Sequence, residues 1–302
     1  MKKTLLVLAG PTAVGKTSCG IHIARHFNTE IISADSRQIY QETTIGTAVP
    51  TPEELAQAKH HFIQVVPVSE PYNASMFEFQ VLEKLELLFE KHDLLLMVGG
   101  SGLYIDAVCH GIDDLPAVDP SLRKQLLLRY ENEGLEALTW ELRKLDPHSY
   151  SQVDLKNHMR VLKALEVSIQ TGKPYSSFLS AEKKERPFQI LRIALDMERQ
   201  LLYERINKRV ELMMEAGLLE EVKLLGHLRE YTAMKTVGYR ELFRHLDGEL
   251  SLVEAVDLIQ RNTRKFARKQ LTWFRKENRY QWFSPDEGIE MLQWIEKSAA
   301  YL

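Results

Sequence analysis

The sequence predicts an α/β fold: a parallel sheet core flanked by helices, with a small helical insertion and a helical C-terminal region. Three observations predict it. Apolar runs closed by polar or glycine residues alternate with amphipathic helical patterns through the N-terminal third, as in a βαβ chain. The strand signal disappears from Asp113 to about Asp154 and returns in "QILRIALDM" from Gln189. From Glu198 onward the pattern is almost wholly helical.

In chain order, Leu5 to Ala9 reads as a buried parallel strand and Lys16 to Phe27 as the helix that follows. "EIISADS" from Glu30 is a second strand ending in polar residues. "HDLLLMVGGSG" from His92, apolar on both faces and closed by glycines, reads as a central strand. "PSLRKQLLLRYENEGLEALTWELRKL" supplies two or three charged helices of the insertion, and "NHMRVLKALEVSIQTGK" another helix stopped at Gly172. The sheet resumes at Gln189. Gly217 resembles a helix cap, and turn signals fall around Gly238 and Gly248. The expected division is 1–114 for the first part of the core, 115–155 for the insertion, and 156–302 for core completion and basic C-terminal helices.

Among 302 residues, 39 Lys plus Arg nearly balance 42 Asp plus Glu, so any nucleic-acid surface must be a local patch. Cys19 and Cys109 have no metal-ligand spacing and no framework to form, which fits free thiols in a reducing compartment; the cytoplasm is expected. "MKKTLLVLAG" imitates a signal peptide, but its apolar run is short and leads straight into a loop that secretion would remove. No stretch approaches the ~20 apolar residues of a membrane span, so no membrane partner is expected. Without a coiled-coil pattern or a self-pairing strand, a monomer is expected.

The run from Gly10, "GPTAVGKT", satisfies G-x-x-x-x-G-K-[ST] between a predicted strand and a predicted helix, which makes the core P-loop NTPase-like. Gly10, Pro11, Thr12, Ala13, Val14 and Gly15 would cradle phosphate oxygens with their amides, Lys16 would neutralise charge, and Thr17 would help hold a magnesium ion. A hydrolytic motor would end a further strand in an acid, yet "LLLMVGG" ends in Gly99 and Gly100. The acid stands instead at Asp35, at the end of the second strand beside Ser36, Arg37 and Gln38, where it faces the phosphate site or caps a following helix. Three readings remain open: a kinase, a transferase that expels diphosphate from an activated carbon group, and a nucleotide-switched binding protein.

The C-terminal "RNTRKFARKQLTWFRKENR" puts Arg261, Arg264, Lys265, Arg268, Lys269 and Arg275 at helical spacings, with Phe266, Trp273 and Phe274 among them. Such a stripe suits a nucleic-acid backbone, or else a solvated face with a buried aromatic side. "MKTVGYRE" sets a turn at Gly238 between Lys235, Thr236, Tyr239 and Arg240. Arg205 and Arg209, one helical turn apart, would reach phosphates as guanidinium forks, or would pair with Glu204 or Glu211. Adjacent His60 and His61 lack ligand spacing and suit a structural or substrate-contact role.

Together "GPTAVGKT", "ADSRQIYQETTIGTAVP", "HHFIQVVPVSEPYNASMF", "GGSGLYI", "TVGYRE" and "RKQLTWFRK" make the chain resemble the bacterial tRNA dimethylallyltransferase (tRNA isopentenyltransferase) family over nearly its whole length. The resemblance implies transfer of a dimethylallyl group from dimethylallyl diphosphate to N6 of the adenosine 3′-adjacent to the anticodon. It implies that Asp35 accepts the amine proton, and that Gly10 to Thr17, magnesium, Arg205 and Arg209 hold the leaving diphosphate. Thr12 and Ser101 would line a channel into which the adenosine is extruded, with Ser36, Arg37 and Gln38 clamping it. Arg160, Lys163, Lys235 to Arg240, and Arg264, Arg268 and Arg275 would contact the tRNA, and the insertion would grip the anticodon stem. Met159 and Lys163 stand where the family more often has arginine, and Val49 where lysine is common. A related enzyme acting on free AMP, or a small-molecule kinase, is the alternative.

Overall fold

Thr4–Ala9 forms β1, and all six of its residues are buried, as an apolar run covered on both faces must be. The computed structural model describes residues 2–113, 115–179, 184–276 and 278–300. After β1 come α1 (Lys16–His26), β2 (Ile31–Ser33), α2 (Pro52–Gln57), β3 (His60–His61), α3 (Ala74–Phe89), β4 (Leu94–Gly99) and α4 (Gly102–His110). Next are α5 (Pro120–Leu145), α6 (Pro147–Gln152) and α7 (His158–Thr171). The chain then forms β5 (Gln189–Leu195), α8 (Arg199–Glu215), α9 (Leu218–Leu224), α10 (Tyr239–Leu246), α11 (Leu252–Arg275), β6 (Gln281–Phe283) and α12 (Gly288–Ala300).

The chain divides into two units, Met1–His110 with Glu185–Leu302, and Gly111–Lys184. The first holds a six-stranded parallel sheet in the order β3-β2-β4-β1-β5-β6. Four of these strands follow from the apolar runs. The edge strands β3 and β6, with the short sequences His-His and Gln-Trp-Phe, carry no aliphatic run and are absent from the sequence reading. Leu6, Leu8, Ile21, Ile23, Ile193, Leu195, Leu202, Ile206 and Ile295 belong to the core that packs against the sheet.

Register decides where the site lies. Ala9 pairs with Gly99, and Ser33 with Val98, so Asp35 is level with Gly100 and Gly10 at the carboxyl edge. β4 separates β2 from β1, which sets the acid two strand spacings, about 10 Å, from the loop after β1. Such proximity needs glycine at 99, where a Cβ would lie 2.1 Å from the Ala34 carbonyl oxygen.

The second unit is helical. α5 starts at an Asp119 cap and breaks at Gly134, whose φ of 80° is not helical, so it is two helices in line. α7, capped by Asn157 and stopped by Gly172, buries Val161, Leu162, Ala164 and Leu165 against Leu126, Leu138 and Leu142 of α5. The helical unit thus runs to Lys184, and the expectation that the core resumes at 156 is corrected. α7 carries a buried face, but periodicity does not say what covers it. Among the described residues no helix is long and apolar enough to cross a membrane.

Candidate active site

The loop between β1 and α1 takes its shape from three positive-φ residues, Gly10 (151°), Ala13 (66°) and Gly15 (112°). Gly10 must lack a side chain, since a Cβ would lie 2.9 Å from the Leu195 carbonyl oxygen. Thr12, Ala13, Gly15, Lys16 and Thr17 line a cavity of about 560 Å³. Gly10, Pro11 and Val14 are buried beneath the loop; Val14 packs into the core, so only its backbone is available to a ligand.

Lys16 Nζ donates to the Pro11 carbonyl oxygen at 2.7 Å. Loss of hydration pushes its pKa from 10.5 down to about 8, with Asp35 opposing and Arg209 adding to the fall. Arg209 donates to Thr12 Oγ1 at 3.3 Å, and burial lowers its pKa while Asp35 and Glu54 resist. Arg205 lines the same cavity, and its guanidinium would lie 3.7 Å from a Cβ at Gly15. The alternative surface pairing does not form: Glu204 accepts from Gln200 and Glu211 from Lys208. Three cations therefore converge on one loop with Asp35 nearby, a field suited to a polyanion.

Asp35 Oδ1 accepts from the amides of Arg37 at 2.9 Å and Gln38 at 3.4 Å, closing a turn rather than capping a helix. Ser101 Oγ accepts from the Ser36 amide at 2.9 Å and donates to Ser36 Oγ at 3.1 Å. Ser36, Arg37, Ser101, Lys235, Thr236, Gly238, Arg240, Lys269 and Trp273 line a second cavity of about 520 Å³. Thr12, Asp35, Arg209, Phe266 and Gln270 line both cavities.

Gln270 is a member of this site that residue types alone did not reveal. On α11 and 6% exposed, it accepts from the Thr12 amide at 2.8 Å and donates to the Gly100 carbonyl at 2.9 Å, bridging the phosphate loop and the end of β4. A side chain at Gly100 would collide with it at 2.3 Å. Among the many cations of α11, a neutral amide gives no signal; glycine at the end of a central strand was the only pointer.

Several expected contacts have other work. Tyr239 is fully buried and donates to Glu221 Oε1 at 2.6 Å, so it holds structure instead of facing a nucleic acid. Arg264 ties α11 to Asn207 of α8, and Arg275 pairs with Asp196 while stacking 5.6 Å over Trp282. Arg268 is exposed and lines neither cavity, whereas exposed Phe266 and Trp273 face them and Phe274 is core. On the helical unit Arg160 is exposed; Lys163 is half-buried, and with Arg123 its charge lowers the Glu166 pKa that burial raises. His61 pairs with Glu30, a structural role.

This site belongs to an α/β protein with a P-loop-like parallel sheet, in which an acid stands between a cavity walled by the phosphate loop and a second cavity. The chain belongs to the IPP transferase family, whose model matches residues 38–277. It is 50% identical to tRNA dimethylallyltransferase 1 of Phocaeicola vulgatus over 295 residues, 98% of each chain. The crystal structure of the tRNA isopentenylpyrophosphate transferase of Bacillus halodurans superposes with a TM-score of 0.73 at 35% identity, covering 99% of this chain and 98% of that one. A eukaryotic dimethylallyltransferase acting on tRNA shares the fold with a TM-score of 0.76 at 24% identity, covering 93% and 73%.

Proposed function

We propose that this protein transfers a dimethylallyl group from dimethylallyl diphosphate to N6 of the adenosine 3′-adjacent to the anticodon of tRNA, releasing diphosphate. The observation that carries this reading is that Asp35 lines both a cavity walled by the phosphate loop and one rimmed by Lys235, Arg240 and Lys269. The diphosphate occupies the first, and the adenine, turned out of its stack, the second.

N6 attacks the allylic carbon, the carbon–oxygen bond breaks toward the diphosphate, and Asp35 takes the amine proton. Developing negative charge on the leaving group meets the loop amides, Lys16, Arg205 and Arg209. Ser36, Arg37 and Ser101 orient the base, while Gln38, expected to clamp it, lines only the phosphate cavity and holds the carbonyls of Thr47 and Ala48. Thr17 lines the phosphate cavity, and the described residues include no cluster of three His, Cys, Asp or Glu that could hold a metal. This donor set suits a magnesium ion shared with the diphosphate rather than caged by protein. When bound, the ion would neutralise part of the leaving group's charge.

The helical unit, through Arg160, takes the anticodon stem. The protein works as a monomer in the cytoplasm, a location that its two free thiols and a tRNA substrate support. The test offers labelled dimethylallyl diphosphate and magnesium to unmodified anticodon stem-loop RNA and, separately, to free AMP. Label enters the RNA, and Asp35→Ala reduces the rate by about 10²- to 10⁴-fold. Label only in AMP would assign the nucleotide-modifying activity instead.

A further inference from the structure

We infer that Glu221 is a positioning residue for the transfer, holding the 44–48 loop against Asp35 from outside the substrate cavities. Three successive amides, of Thr44, Ile45 and Gly46, donate to its carboxylate at 3.2, 2.8 and 3.0 Å. Converging main-chain amides of this kind form a nest that binds anions, and here the protein's own carboxylate fills it. The Tyr239 hydroxyl adds a fourth donor at 2.6 Å. Gly46 must be glycine for this, because a Cβ there would strike the Tyr239 ring at 2.5 Å.

The clamp leads to the reacting groups in two short steps. Beyond Gly46, the carbonyls of Thr47 and Ala48 accept from Gln38 Nε2 at 3.3 and 2.8 Å. The amide of Gln38 in turn donates to Asp35 Oδ1. Thr47 and Ala48 line both cavities, so their placement sets the wall beside the attacking amine. On the other side, Tyr239 directly follows Lys235 to Gly238, which line the second cavity. One carboxylate on α9 thereby joins the segment at the nucleoside side to the loop beside the base.

The inference rests on the proposed function, and the experiment keeps the two apart. Wild type and Glu221→Gln are compared in single-turnover transfer to stem-loop RNA at saturating substrates. The KM for the diphosphate and amide hydrogen exchange at residues 44–46 are measured alongside. The variant's rate constant falls by roughly ten- to a hundred-fold, as expected for a displaced reacting group. Its KM for the diphosphate stays within about two-fold, because the phosphate loop is untouched. Exchange at 44–46 accelerates while that of the phosphate loop does not. Tyr239→Phe, which removes one donor of four, gives a smaller loss in the same direction.

If wild type labels no RNA, the functional reading fails and the inference with it. If wild type labels RNA and Glu221→Gln keeps its rate constant, the positioning role alone is overturned. A variant with wild-type rate constant but reduced amplitude has lost folded molecules, which also overturns it.

Discussion

The phosphate side of the site is built on one contiguous stretch, residues 10–17 between β1 and α1, to which α8 adds Arg205 and Arg209, whereas the other side is gathered from Asp35 to Arg37, Gly100 to Tyr104, Lys235 to Gly238 with Arg240, and one face of α11 between Ile259 and Trp273. The first is shaped by its own backbone, through Gly10, Ala13 and Gly15. The second exists only once β2, β4 and α11 have been brought together by the sheet. A local loop tolerates distant change, while a gathered wall depends on every segment that supplies it. The two sides are therefore separable by mutation except at the residues that line both cavities, Thr12, Asp35, Arg209 and Gln270 among them.

Apart from loss of the shared acid Asp35, the largest effect is expected on the phosphate side. Lys16→Met lowers the transfer rate by about 10²- to 10³-fold and leaves RNA affinity unchanged, measured by labelled transfer and RNA titration. The same residue gives the site a pH signature. The folded pKa of about 8 lies below the ordinary 10.5, so the folded chain binds fewer protons between these values. Stability from this group accordingly rises with pH from about 8 to 10.5. Bound diphosphate supplies the missing counter-charge, so its binding near pH 9, about one unit above that pKa, takes up a proton. Calorimetry in buffers of different ionisation enthalpy reads the uptake, which is lost in Lys16→Met; uptake that persists in the variant belongs to another group.

An intermediate effect is expected at the bridge. Gln270→Ala leaves the Thr12 amide and the Gly100 carbonyl without their partner, lowering stability by about 1–3 kcal/mol in denaturant titration. It raises the KM for both substrates, and a change in only one would confine Gln270 to that side. The smallest effect separates two cations of α11. Lys269→Ala flattens the salt dependence of RNA binding by about 0.7 in the log–log slope, one phosphate contact to a single strand. Arg275→Ala leaves the slope alone, because its charge already serves Asp196.

The same contrast governs what was legible in the residues. β1, β2, β4, β5 and the phosphate loop carry their signals in consecutive residues, and the strand-end position of Asp35 follows from them. Asp113 lies close to the observed start of the helical unit at Gly111, but its end was misplaced because α7 looks alike whether it covers a sheet or another helix. Tyr239 beside a glycine turn resembled a surface residue; its burial depends on space at Gly46, nearly two hundred positions away. Gln270 and Glu221 act through backbone amides and carbonyls, which leave no trace in side-chain pattern.

At the boundary of the helical unit, Arg186 donates to the carbonyls of Ala107 and Val108 at 2.9 and 2.8 Å and pairs with buried Glu78. The chain leaves and returns through what is in effect a riveted seam. Whatever is spliced in beyond the seam pays mainly for closing a loop, and doubling its length costs only about 0.6 kcal/mol. A change in the length of the 111–184 segment therefore leaves the register of the sheet, and with it the spacing of Asp35 from the phosphate loop, untouched.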